Sequence, residues 1–154
     1  MNITIIQLGL LHLNSCLDLD QKSLKGLWTK SQWEKELSHP KRICIGGIDL
    51  ETQKLLGLCT AWIVMNELHI TSIAVDPIYQ RRGLGKSLIS DLIKRSSSVQ
   101  TNHIHLEVKE TNAPAKAFYK SMGFKIQGNR PNFYKDGSDA ILFSKQIKNH
   151  KKNN

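Results

Sequence analysis

Apolar residues recur along this chain with two periods, and the changes of period mark out its elements. Ile3 to Leu8 is a short apolar run that predicts a first strand, and Leu10, Leu13, Cys16 and Leu17 are spaced to share one face of a following helix. Ser31-Gln32-Trp33-Glu34 has the form of a capping box, with Ser31 as N-cap and Glu34 reaching back. A second helix is therefore expected from there to His39-Pro40. Ile43 to Leu50 and Leu55 to Met65 are apolar or β-branched runs around the polar turn Glu51-Thr52-Gln53-Lys54, which predicts a hairpin. Asn66-Glu67 then leads into a strand over Leu68 to Val75.

That strand breaks period two. Leu68 and Ile70 share a face, but Ile73 and Val75 fall on the other parity. Either an extra residue near Thr71-Ser72 forms a β-bulge, or the strand is buried on both faces and parity carries no meaning. From Gly83 onward, Leu84, Leu88 and Leu92, with Ile89 and Ile93 beside them, predict an amphipathic helix closed by Ser96-Ser97-Ser98. Ile104, Leu106 and Val108 alternate with His103, His105, Glu107 and Lys109, so the next strand has one apolar and one strongly polar face. Asn112 is placed to cap a helix with Pro114 in its first turn and Gly123 just past its end. Phe124 to Tyr134 and Ser138 to Ile147, around Asp136-Gly137, predict a terminal hairpin.

Strands and helices alternate without repeats or low-complexity linkers, so the fold class is mixed α/β (α+β), a single layered domain over residues 1–147 with a frayed basic tail at 148–154. With 154 residues, 40% of them hydrophobic, the chain fits one compact domain and leaves little room for a second. Its charge changes the picture more. Lys and Arg number 22 against 13 Asp and Glu, a net of +9. Residues 1–77 carry 7 against 8, a net of −1, and residues 78–154 carry 15 against 5, a net of +10. An anionic partner belongs to the second half, whether nucleic acid, acidic membrane or a phosphorylated cofactor.

No run approaches the ~18 apolar residues of a membrane span. Ile3 to Leu13 is interrupted by Gln7, Gly9 and His12, lacks a basic leader and is not read as a signal peptide, so a cytoplasmic location is expected. Cys16, Cys44 and Cys59 are odd in number and widely spaced, which suits buried small hydrophobes better than disulfides or a zinc site; a reactive thiol is the other reading. Trp28, Trp33 and Trp62 are expected in the core.

Gln80-Arg81-Arg82-Gly83-Leu84-Gly85-Lys86-Ser87 joins a strand to a helix N-terminus. Two glycines let backbone approach a ligand, first-turn N–H groups lack partners, and Arg81, Arg82 and Lys86 add charge, so the loop is an anion cradle suited to a pyrophosphate. A P-loop is excluded because its first glycine would fall at Gln80, and the dinucleotide fingerprint because its third would fall at Leu88.

This loop resembles the Gln/Arg-x-x-Gly-x-Gly/Ala signature of the GNAT superfamily of N-acetyltransferases. Ile73-Ala74-Val75-Asp76-Pro77, Asn112-Ala113-Pro114-Ala115 and Phe118-Tyr119-Lys120-Ser121-Met122-Gly123-Phe124 resemble its further blocks in the expected order, over most of residues 68–124. Leu106-Glu107-Val108-Lys109 and Arg130-Pro131-Asn132-Phe133-Tyr134 with Asp139-Ala140 are similar to the RimI group, which acetylates the N-terminal alanine of a small-subunit ribosomal protein. The resemblance implies a mostly antiparallel central sheet of six to seven strands flanked by about four helices. It implies acetyl-CoA as cosubstrate, with pyrophosphate on Arg81, Arg82, Gly83, Leu84, Gly85 and Lys86, pantetheine and thioester on backbone of Ile73, Ala74 and Val75, and a further contact from Asn112.

Acetyl transfer to an amine needs an uncharged nucleophile, a polarised carbonyl and a proton for the departing thiolate. Glu107, on the polar side of its strand, is a candidate base; the alternative is an ordinary exposed carboxylate. Tyr119 is implied as the phenol that protonates the coenzyme sulfur; the alternative is a core aromatic beside Ala115 and Met122. Leu27, Trp28, Arg130 and Tyr134 resemble the residues that grip a peptide N-terminus, although Leu27 stands at a common proline position and Phe133 at a common tyrosine position. Direct attack within a ternary complex is expected, with no metal, membrane or nucleic acid required. Lysine side chains or a small-molecule amine are alternative acceptors. A noncatalytic basic module binding RNA or ribosomes is an alternative of another class, and it leaves the Gly83 loop unexplained.

Overall fold

The computed structural model of the chain describes residues 2–97 and 101–147. One sheet contains β1 (Ile3–Gln7), β2 (Arg42–Asp49), β3 (Leu55–Val64), β4 (Glu67–Val75), β5 (His103–Lys109), β6 (Lys125–Arg130) and β7 (Ala140–Gln146), in the order β1-β2-β3-β4-β5-β7-β6. Every neighbouring pair is antiparallel except β4 with β5. The helices among the described residues are α1 (Leu13–Ser23), α2 (Lys30–Ser38), α3 (Leu84–Ser96) and α4 (Ala113–Ser121), with 3-10 turns at Leu10–His12 and Pro77–Tyr79. The expected strand and helix numbers and the mostly antiparallel sheet are met.

Each sheet face has its own core. On one, Leu84, Leu88, Ile89 and Leu92 of α3 and Tyr119 of α4 pack on Leu68, Ile70, Ile104, Leu106, Val108 and Phe143. On the other, Cys16 and Leu19 of α1 and Trp33 and Leu37 of α2 pack on Cys44, Leu58 and Ala74. All three cysteines are buried free thiols. Burial pushes the Cys16 and Cys44 thiols up to about 12, which keeps them protonated and supports the buried-hydrophobe reading.

The parity break in β4 is a bulge. Thr60 lies opposite Ser72 and Ala61 opposite Ile70, so Thr71 is the extra residue. Its effect is to swap faces: Ile73 and Val75 join Leu68 and Ile70 on the α3/α4 side, while Ala74 turns to the α1/α2 side. Thr71 is anchored through its hydroxyl, 2.7 Å from Thr60 Oγ1 and donating to Glu36 Oε2 at 3.1 Å. Beyond the bulge β4 leaves β5. Their parallel ladder covers only Glu67–His69 against His103–His105, so Thr71–Val75 and Glu107–Lys109 border a slit through the sheet.

Several expectations need correction. The second helix is capped by Thr29, whose Oγ1 accepts from Gln32 N while Gln32 Oε1 accepts from Thr29 N; Ser31 lies inside the helix. Leu10 is exposed in a 3-10 turn, and the buried stripe of α1 is Cys16, Leu19 and Asp20. Trp33 is fully buried and Trp28 half-buried, but Trp62 is 39% exposed, at the less buried C-terminal end of β3, and carries the Arg42 guanidinium on its ring at 3.8 Å. Ser98 and the tail at 148–154 lie outside the described residues.

Candidate active site

The glycine loop is built as expected at its centre. Gly83 is the N-cap of α3 with φ +88°, a left-handed conformation that side chains strain, and a Cβ there would meet nothing within 4 Å. Arg81 is also left-handed, with φ 64°, and Arg81, Arg82 and Lys86 are exposed around this open space. Gln80 ties the loop to the strand by donating from Nε2 to Val75 O at 3.0 Å. Gly85 has a different reason from the one expected: a Cβ there would lie 3.2 Å from Phe118 Cζ, so its smallness lets α4 approach α3. Leu84 is buried and anchors the helix start.

Above this loop, Ile73, Ala74 and Val75 form the β4 side of the slit and have no strand partner toward β5. The Val75 carbonyl is already taken by Ser23 Oγ at 2.8 Å and by Gln80, which leaves Ile73 and Ala74 as the freer backbone. Asn112 caps α4 by accepting from Ala115 N at 3.1 Å, and it remains exposed. Together these features fit a long ligand with an anionic segment at Gly83 and an extended segment along the slit.

Glu107 and Tyr119 approach the slit from opposite faces. Tyr119 belongs to the α3/α4 core, packed edge-on to Phe118 and Phe124 with ring centroids 5.1 and 5.5 Å away. Burial first, and then the nearby Cys59, raises its phenol well above the usual range, so it stays protonated through neutral pH. Among the described residues its hydroxyl makes no hydrogen bond. Glu107 points from β5 to the α1/α2 face with 17% of its side chain exposed. Its Oε1 lies 3.0 Å from His69 Nε2 and its Oε2 3.7 Å from Arg130 Nη2.

The β6–β7 loop supplies the rest of this face. Tyr134 donates its N–H to Ser138 O at 3.1 Å, and Lys109 Nζ stands 5.5 Å from its ring centroid. Burial and the Glu107 charge raise the Tyr134 phenol, while Lys109 pulls it the other way. Lys109 pairs with Asp136 at 2.7 Å, and Asp139 receives Asn132 N and Asn129 Nδ2, so this loop is held by its own carboxylates. Glu107, Arg130 and Tyr134 are therefore brought together. Leu27 and Trp28 lie in the α1–α2 loop on the same face, and no recorded side-chain contact joins them to that trio.

Two residues with clear parts in this site escaped the sequence. His69 is one. Asp20 is the other: buried to 1% exposure, it accepts from Leu27 N at 2.7 Å, Trp28 N at 3.1 Å and Trp33 Nε1 at 2.7 Å, and so fixes the loop carrying Leu27 and Trp28. Its signal was an acidic residue on the stripe of α1 set by Cys16 and Leu19. Asp20→Ala leaves three donors without their acceptor and is expected to cost about 3 kcal/mol, read as a lower urea midpoint, while Asp20→Asn keeps an acceptor oxygen and costs less.

Comparison with known proteins places this geometry. The chain belongs to the acetyltransferase (GNAT) family, whose model matches residues 10–124, and it is an acetyltransferase. The crystal structure of the ribosomal-protein-S18-alanine N-acetyltransferase from Escherichia coli superposes with a TM-score of 0.86 at 29% identity, covering 95% of this chain and 94% of that chain. A Bacillus subtilis (strain 168) protein provisionally named a ribosomal protein bS18-alanine N-acetyltransferase is 32% identical over 126 residues, 81% of this chain and 83% of that one. PaiA N-acetyltransferase from Thermoplasma acidophilum, solved in complex with coenzyme A, shares the fold with a TM-score of 0.81 at 21% identity over 96% of this chain and 100% of that chain.

Proposed function

We propose that the protein transfers the acetyl group of acetyl-CoA to the free α-amine of a protein N-terminus, with the N-terminal alanine of a small-subunit ribosomal protein as its acceptor, in the cytoplasm. The single observation that carries this reading is the slit between β4 and β5, with an anion cradle and a buried phenol on one side and a carboxylate on the other. The activity named in the bacterial relatives supports the choice of acceptor.

In this reading Arg81, Arg82, Gly83, Leu84, Gly85 and Lys86 hold the pyrophosphate, and Ile73 and Ala74, with Val75 beside them, align pantetheine along the open edge of β4. Asn112 adds a contact at the start of α4. Leu27, Trp28, Arg130 and Tyr134 border the acceptor side. Glu107 takes a proton from the acceptor ammonium, directly or through water, so that the free amine attacks the thioester carbonyl. The C–N bond forms as the C–S bond breaks, and Tyr119 gives its proton to the departing sulfur. Arg130 and Lys109 beside Glu107 make the acceptor side a poor host for a densely cationic amine, which favours a peptide terminus over a polyamine.

Peptides that differ in their first residue, incubated with acetyl-CoA and read by mass spectrometry, test the acceptor. Acetylation of the α-amine, fastest for Ala, is expected; acetylation of internal Lys in place of the terminus contradicts the reading. Gly83→Val tests the cradle. It has room for its side chain in the protein but not the backbone conformation, so affinity for acetyl-CoA is expected to fall about ten-fold or more by calorimetry.

A further inference from the structure

The parallel seam at the base of the slit is crossed by two histidine–glutamate contacts on the same diagonal. Register pairs Glu67 with His103 and His69 with His105. One step further along β5, His69 of β4 meets Glu107, and Glu67 of β4 meets His105. The two contacts differ in quality. His69 Nε2 and Glu107 Oε1 form a hydrogen bond at 3.0 Å, whereas His105 Nε2 sits 3.0 Å from Glu67 Oε1 out of hydrogen-bonding alignment. Of the two contacts, the one between His69 and Glu107 is the hydrogen bond.

We infer that His69 is a positioning residue for Glu107: its Nε2–H holds Oε1 and reserves Oε2 for the acceptor amine. This rests on the proposed role of Glu107 as the base. A glutamate has three rotatable bonds and two equivalent oxygens, and a donor on one oxygen selects both the rotamer and the oxygen that faces the reactant. Arg130 Nη2 pairs with Oε2 at 3.7 Å, beyond hydrogen-bond distance, so Oε1 is the oxygen of Glu107 that is hydrogen-bonded.

His69 also borders a cavity of about 830 Å³ lined by Trp62, Met65, Glu67, Thr71 and His105, and its side chain is part-exposed there. The charged and titratable groups facing His69 are Glu107 and His105 of β5, Glu67 of its own strand, Arg42 of β2 through the Trp62 ring, Arg130 of β6, and Glu36 of α2 through Thr71. Arg42 pairs with Glu36 and Arg130 stands 3.7 Å from Glu107 Oε2, so His69 is the group hydrogen-bonded to Glu107.

Two variants test the hydrogen bond. His69→Leu removes the donor, and His69→Gln places an amide N–H near the position of Nε2. With acetyl-CoA and an Ala-initiated peptide, His69→Leu is expected to lower kcat about ten- to a hundred-fold with the KM for acetyl-CoA unchanged, the scale typical of losing a group that orients a reactive ligand. His69→Gln is expected to recover most of that loss. In a Glu107→Gln background His69→Leu should cost nothing further. A Leu variant with parental kcat, a Gln variant as slow as the Leu variant, or additive losses in the double variant would overturn the inference. Should Glu107→Gln itself keep full activity, the fault lies with the base assignment and not with His69.

Discussion

Glu107→Gln is expected to lower kcat for acetyl transfer by about 10²- to 10³-fold while acetyl-CoA binding is retained. The amide keeps the size of the carboxylate and an oxygen that can accept from His69, so the fold of the slit and the partner at 3.0 Å are preserved. What disappears is the ability to take a proton. The effect belongs in kcat because Glu107 projects to the α1/α2 face, away from the Gly83 loop that lies at the start of α3 on the other. Steady-state rates with calorimetry on the same preparation check it; unchanged turnover removes the base role, and lost coenzyme affinity assigns the residue to binding.

Tyr119→Phe has the second largest expected effect, about 10²-fold in kcat. The substitution removes one oxygen and leaves the ring packed edge-on to Phe118 and Phe124, so melting temperature should barely move. Its pH signature follows from the raised phenol. Because burial holds the proton on Tyr119 well above the ordinary tyrosine range, the donor remains loaded as pH rises from 7 to 10, and the parent shows no loss from this group in that window. A descending limb below pH ~10 that vanishes in Tyr119→Phe would show a phenol that titrates normally, against the buried environment described here.

Much of this site was legible where chemistry is local in sequence. The bulge at Thr71 announced itself because Leu68 and Ile70 cannot share a face with Ile73 and Val75 under period two. Asn112 and Gly83 each have a backbone duty that names the residue type. Glu107 followed from strict alternation with Leu106 and Val108. What was illegible depends on tertiary neighbours. Thr29-x-x-Gln32 and Ser31-x-x-Glu34 both have capping-box form, and the choice between them is made by Asp20, which grips Leu27 N and Trp28 N and delivers the chain to Thr29. His69 acquires its partner only through a diagonal across a parallel pair whose members are 38 residues apart. β7 lies between β5 and β6 although the chain makes β6 first, an insertion that hairpin patterning does not reveal. Trp62 was expected in the core, but it is 39% exposed and belongs to neither core cluster.

The charge imbalance resolves only in part. Arg81, Arg82 and Lys86 surround the open space at Gly83, while Lys109 pairs with Asp136 and Arg130 stands 3.7 Å from Glu107. Lys145 donates to Met122 O at 2.8 Å, closing the end of α4, which is a structural use of one of the excess cations. The basic residues at 148–154 lie outside the described residues.

The central claim is that the slit joins a coenzyme face to an amine face made for a protein N-terminus. Its most direct test is tandem mass spectrometry of a small-subunit ribosomal protein with a free N-terminal alanine after incubation with this enzyme and acetyl-CoA. The account predicts one acetyl group, on the α-amine of that alanine, abolished by Glu107→Gln; acetyl groups on lysine side chains with the terminus left free would contradict it.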